Sequence, residues 1–176
     1  MISATQPDWS RERVTKFWRP SQQLLRTVRG YQSTQQGGPV NWLLRKWYLL
    51  GHRFWSVVCG CDIPLNVNIA GGLLLPHPNG IVIHPQAVVG PNCLLFHQVT
   101  LGEGGSIPGF PKLGGHVDVG AGAKILGGVI VGDHARIGAN AVVLEDVPAG
   151  ATAVGIPARI VGVSDCPEES VACDAL

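Results

Sequence analysis

Cut every six residues from Ile83, the stretch 83–148 reads IHPQAV, VGPNCL, LFHQVT, LGEGGS, IPGFPK, LGGHVD, VGAGAK, ILGGVI, VGDHAR, IGANAV, VLEDVP. The first residue of all eleven blocks is Ile, Val or Leu, and the second is Gly in six of them. A short fixed period marks a solenoid, in which each repeat buries its apolar face only against its neighbours. Six residues suit one short strand and a turn, and three such units make one triangular coil with the branched aliphatic pointing inward. The Gly that follows suits a tight corner needing positive φ or a close backbone contact. The stretch therefore reads as a parallel β-helix.

Outward from it, 176 residues leave room for one domain of ordinary size with a full core. Charged residues are only 14% and Gly numbers 24, as a repeat with many corners and stacked faces requires. The chain divides into a helical region 1–60, the coil 61–162 and a short acidic tail 163–176, expected to be flexible. No early stretch has the form of a signal peptide. The apolar run from Trp42 to Cys61 is interrupted by Arg45, Lys46, His52 and Arg53, so it does not read as a spanning helix. Five cysteines without framework spacing point to a reduced, cytoplasmic setting.

The net charge of +1 hides a division. Residues 1–60 hold nine Lys or Arg against two acids, and all five tryptophans. The pattern predicts helices over Ser10–Arg29 and Val40–Val58, separated at Gln35–Pro39. In the second, Trp42, Leu43, Trp47, Leu50, Phe54 and Val57 follow helical spacing. The first reading is a cap over the open end of the coil. The second is a basic, Trp-rich surface lying on an anionic membrane. Nucleic acid finds no other support in the chain.

The chemistry gathers where the coil begins. Counted back from Ile83, His77 falls at a position otherwise kept for an inward aliphatic, where a polar group must find a partner. Asp62, fifteen residues earlier, falls slightly short of one eighteen-residue coil and so close to His77 on the adjacent level. A carboxylate on one imidazole nitrogen leaves the other as a general base near neutral pH. On spacing alone, a structural pair remains the alternative.

The run from Asp62 to Gly162 resembles the serine acetyltransferase branch of the hexapeptide-repeat acyltransferases. The matching residues are Asp62-Ile63, His77 with Gly80-Ile81-Val82, Val99-Thr100-Leu101-Gly102, Pro111-Lys112, Gly120 to Gly127, and Val154 to Val161. The resemblance implies a left-handed β-helix, an exception to the usual crossover hand. It also implies His77 as general base, Asp62 as its partner, acetyl-CoA as acyl donor, no metal, and a homotrimer with each active site between two β-helices. Gly102, Ala121, Ala139 and Arg136 become candidates for the donor site, the two alanines as small residues along the pantetheine arm. Those alanines are also what the repeat wants at a corner. The interruption Glu103–Lys112 becomes the candidate loop over the active site.

The departures concern the acceptor. Members specific for serine usually carry Asp before the catalytic histidine, where this chain has Pro76. Where they carry Arg-His before Pro-Lys, it has Gly109 and Phe110, in a loop two residues shorter. Pro76, His97, Phe110 and Lys112 are therefore the candidate acceptor contacts. L-serine, for cysteine synthesis, is the first acceptor, and a sugar hydroxyl in capsule or exopolysaccharide assembly is the second. A non-catalytic scaffold is the reading of another class, opposed by a histidine at an inward position.

The remaining candidates carry less. Cys59 and Cys61 lack an activated setting for a nucleophile, and Cys-x-Cys alone lacks two zinc ligands. His84, His116 and His134 read as solvated, and His52 as part of the cap. The ending Asp174-Ala175-Leu176 differs from the Ile terminus by which serine acetyltransferases dock into cysteine synthase.

Overall fold

The computed structural model describes residues 2–163, so the acidic tail lies outside the described residues. A 3₁₀ turn, Trp9–Glu12, leads to helix α1 (Pro20–Ser33) and helix α2 (Pro39–Cys59), and the strands of the coil follow from Asn68 onward. Strands of two to four residues stack in parallel into three sheets that wrap as a left-handed β-helix. One sheet holds Asn68–Ile69, Val88–Val89, Lys112–Leu113 and Ile130–Val131. The second holds Leu94–Leu95, Asp118–Val119, Arg136–Ile137 and Ala151–Val154, closed by the antiparallel Arg159–Val163. The third holds Val82–Ile83, Thr100–Gly102, Lys124–Leu126 and Val142–Val143.

Ile83, Val89, Leu95, Leu101, Leu113, Val119, Ile125, Val131, Ile137 and Val143 point inward and are buried. Each such side chain contributes roughly 1.5–3 kcal/mol by leaving water. Ile107 is the exception among the block leaders, being only half-buried. Residues Glu103–Pro111 leave the coil as a loop, and Lys112 already belongs to the next strand. Thr100 pairs with Lys124, so the excursion adds one repeat's worth of residues and keeps the phase.

The first coil breaks the phase. Asp62 bridges Val82 and Leu74 bridges Leu94, whereas Val82 pairs with Thr100. The longer step puts two extra residues into the corner after Leu74. Inward positions before the corner are therefore Ile63, Ile69 and Leu75, all buried. His77 does not take an inward aliphatic position: it stands exposed on the lengthened corner.

The repeat's glycines divide between two tasks. At second positions the need is close approach: a Cβ on Gly120 would lie 2.6 Å from the Ala139 backbone N, and one on Gly132 2.4 Å from that of Ala149. Positive φ falls instead on the fourth position, at Asn92, Gln98, His116, Gly122, His134 and Asn140. Asn and His tolerate that left-handed conformation better than most side chains.

At the N-terminus the first helix begins ten residues later than the pattern predicts. Pro20 opens it, and the residue before a proline is driven out of the helical region. Helix α2 starts one position early and ends one late, closed by Gly60 at φ 62. Leu24 and Leu25 of α1 join the coil's core, and the Gln32 amide donates to the carbonyls of Leu65 and Val67, 3.0 Å each. Buried Glu12 anchors the leading segment, 2.8 Å from the Arg29 guanidinium and accepting from the N–H groups of Gly72 and Leu73. Among the residues of α2 only Trp55 and Cys59 are buried. The stripe of Leu43, Trp47, Leu50, Phe54 and Val57 is exposed, so it does not cap the coil; α1 covers the first coil instead.

Candidate functional site

The corner that carries His77 is the lowest rung of a bonded column. Gly80 N–H donates to the Gly60 carbonyl (2.7 Å), Gln98 to Asn79 (2.8 Å), Gly122 to His97 (2.9 Å) and Asn140 to Ala121 (2.8 Å). Asn79, His97, Ala121 and Ala139 are therefore stacked at successive levels of one edge. The two extra residues make His77 and Pro76 stand out from its foot. A cavity of about 480 Å³ opens there, walled by Pro76, His77, Asn79, Trp18, Val58 and Cys59.

His97 is the second histidine of this corner. Its ring stands 76° to that of His77, with 6.3 Å between centroids. Its Nδ1 is buried and has no hydrogen-bond partner among the described residues. Buried polar atoms are seldom left without a partner, which sets this ring apart from the other corner residues. Spacing alone could not reveal this, because it depends on what the neighbouring coils leave unpaired.

Asp62 is exposed on the first rung of the sheet that this corner runs into, its backbone bonded to Ile81 and Ile83 (2.8 and 2.9 Å). No hydrogen bond or ion pair joins its carboxylate to His77 among the described residues. Its charge also reaches His52, which burial holds below the ordinary imidazole range, against the opposing pull of the Ile63 backbone and Asp62.

The other candidates lie elsewhere. Gly102 ends its strand at the opposite edge of the third sheet, where the Glu103–Pro111 loop departs. A Cβ on Gly102 would meet only ordinary contacts at 3.4 and 3.6 Å, so packing does not demand a glycine there. Phe110 lies flat on His84, 4.0 Å between ring centroids, which leaves that face unavailable to a sugar. Lys112 is exposed in the first sheet, and Arg136 on the outer face of the second. Within one chain, then, His77, His97, Ala121 and Ala139 share an edge, and Gly102, Phe110 and Lys112 do not reach it.

Three histidines expected in solvent have partners. His84 stacks on Phe110, and the Nδ1 atoms of His116 and His134 lie 2.8 Å apart. Both of the latter sit at left-handed corners one coil apart, which stacks them. Burial is also what pushes the Cys93 thiol up to about 12. No group of three metal-ligating side chains stands together among the described residues.

Known proteins resemble this chain over its coil. The bacterial transferase hexapeptide (six repeats) model matches residues 110–145. Serine acetyltransferase 1 of Arabidopsis thaliana is 46% identical over 110 residues, 61% of this chain and 35% of that protein. The serine acetyltransferase of Mycobacterium tuberculosis is 41% identical over 114 residues, 64% of this chain and 50% of that protein. The solved serine acetyltransferase of Brucella abortus superposes with a TM-score of 0.70 at 34% identity, covering 87% of this chain and 63% of that one. Soybean serine acetyltransferase complexed with serine gives 0.69 at 37%, covering 82% and 58%. The chain spans between 28% and 50% of the length of curated relatives it matches. In sequence and in structure its coil is that of a serine acetyltransferase-like hexapeptide-repeat protein.

Proposed function

We propose that this serine acetyltransferase-like chain moves the acetyl group of acetyl-CoA onto the hydroxyl of L-serine, working as a homotrimer. The observation that carries the reading is the column at one edge of the coil: His77 at its foot, His97 above it, then Ala121 and Ala139. A base, an unpartnered polar atom and a run of small residues lie in line, the order that an acceptor and a long thioester donor need.

In the step itself His77 takes the proton of the acceptor O–H as that oxygen bonds to the thioester carbonyl carbon. The tetrahedral intermediate collapses with cleavage of the C–S bond. The CoA thiolate takes the proton back from the imidazolium, so the enzyme ends as it began. Asp62, on the adjoining rung, stabilises the imidazolium through its charge and by orienting the ring once the site is filled. Backbone N–H groups of the cleft answer the oxyanion.

The separation of the two edges supports the homotrimer. The His77 edge and the Gly102–Lys112 edge belong to opposite sides of one sheet, and a cyclic assembly would set the first against a neighbour's second. Mixed trimers test this. Neither His77→Ala nor a Phe110→Ala, Lys112→Ala double variant should turn over alone, and co-assembly should restore part of the activity. Mixed trimers that stay inactive would contradict a shared site.

A further inference from the structure

The face of α2 turned away from the protein is apolar and basic and, among the described residues, unpartnered. Leu43, Trp47, Leu50, Phe54 and Val57 lie along it with 65, 72, 63, 56 and 82% of their surface exposed. A contiguous exposed apolar strip on this scale marks an interaction surface. Phe17 and Trp18 extend it, at 77 and 64%. Between Phe17 and α2 runs a groove of about 610 Å³ that Arg26, Trp47 and Leu50 help to line.

Charge decides what this face fits. No Asp or Glu occurs from Arg13 to Cys61, while eight Lys or Arg do. Of these only Arg29 has an ion-pair partner among the described residues. Lys46 and Arg53 flank the strip, and the Lys46 ammonium lies 5.6 Å from the Trp42 ring. Two copies of this face set against each other would bring Lys46 and Arg53 together with no acid on the face to answer them. An anionic lipid surface supplies both what the strip and what its cations lack. Trp, Phe and Leu on one side with Lys and Arg beside them are the side chains of an interfacial helix. No helix among the described residues is long and apolar enough to cross a membrane.

We infer that α2 lies flat on an anionic membrane, with Leu43, Trp47, Leu50, Phe54 and Val57 in the lipid and Lys46 and Arg53 against the headgroups. Val58 and Trp18 belong to this face and also wall the His77 cavity, so docking sets the mouth of that cavity beside the lipid. The inference stands independently of the acetyl-transfer reading, since none of its residues belongs to the base or donor column.

The test is co-sedimentation of the full chain with vesicles of phosphatidylcholine alone and of phosphatidylcholine mixed with phosphatidylglycerol. Binding should require the mixed vesicles, weaken with salt and shift tryptophan emission to the blue. The double variant Lys46→Gln, Arg53→Gln should bind about tenfold more weakly or worse. Leu50→Glu with Phe54→Glu should abolish binding without altering the oligomer's mass in lipid-free buffer. The glutamine pair, wholly at exposed positions, keeps the test valid if the glutamates disturb folding. Wild-type chain that ignores the mixed vesicles would overturn the inference, as would variants that bind equally well. So would a lipid-free oligomer that falls apart on Leu50→Glu, Phe54→Glu, which would make the face a contact between copies.

Discussion

His97 stands one coil above His77, its ring nearly perpendicular at 6.3 Å between centroids, and its Nδ1 is buried without a partner. The His77 ring is exposed at the foot of the corner, and the His97 ring holds its nitrogen inside it. Replacing His97 with Phe should raise the KM for the acceptor about tenfold, the worth of one hydrogen bond to a bound group. The melting temperature should hold, because no protein partner is lost. A variant with normal KM would remove His97 from the acceptor site.

Glu12 anchors the leading segment, bonded to Arg29 and to the N–H groups of Gly72 and Leu73. Glu12→Ala leaves Arg29 without its carboxylate, though still bonded to the carbonyls of Ile69 and Ala70, and two backbone donors unanswered; it should cost about 3–5 kcal/mol in chemical denaturation. Reversal by a second substitution, Arg29→Met, should be partial.

Two glycines separate packing from chemistry. Gly132→Ala forces a Cβ to 2.4 Å from the Ala149 backbone and should destabilise the coil by about 1–3 kcal/mol. Gly102→Ala meets only ordinary contacts and should melt like the wild type. If Gly102 lies beside the donor, that variant should instead raise the KM for acetyl-CoA. Equal melting losses in both would contradict the distinction.

Stability should fall as the pH is lowered. Burial is the leading reason that His52 and His116 both sit below the ordinary imidazole value. The unfolded chain then takes up protons first, beginning near its own value of about 6.5, while the folded chain resists. The stabilisation is complete above that pH and is lost as pH falls through the folded values. His52→Gln should make the melting temperature less dependent on pH between neutral and mildly acid buffer; an unchanged slope would assign the effect elsewhere.

Much of this was legible because the coil is a one-dimensional repeat: Ile83 to Val143 can be read in register without knowing any distant contact. The same local character hid two features. A loop whose added length equals one repeat preserves the phase, so Ile107 reads like a coil residue although it is not one. A two-residue lengthening after Leu74 destroys it, so His77 reads as inward although it stands on an exposed corner. The pairing of Glu12 with Arg29 and the orphaned Nδ1 of His97 arise between distant segments, which periodicity cannot report. In α2 the apolar stripe was plain, but which way it faced depended on α1 having already covered the first coil.

The most direct measurement is CoA release from acetyl-CoA with L-serine as acceptor, for the wild type and for His77→Ala. A general base at His77 predicts serine-dependent release that drops about 10²–10⁴-fold in the variant, while mass and melting temperature stay the same. Release with serine that persists at the wild-type rate in His77→Ala, or wild-type silence with serine beside turnover of a sugar hydroxyl, would contradict the account.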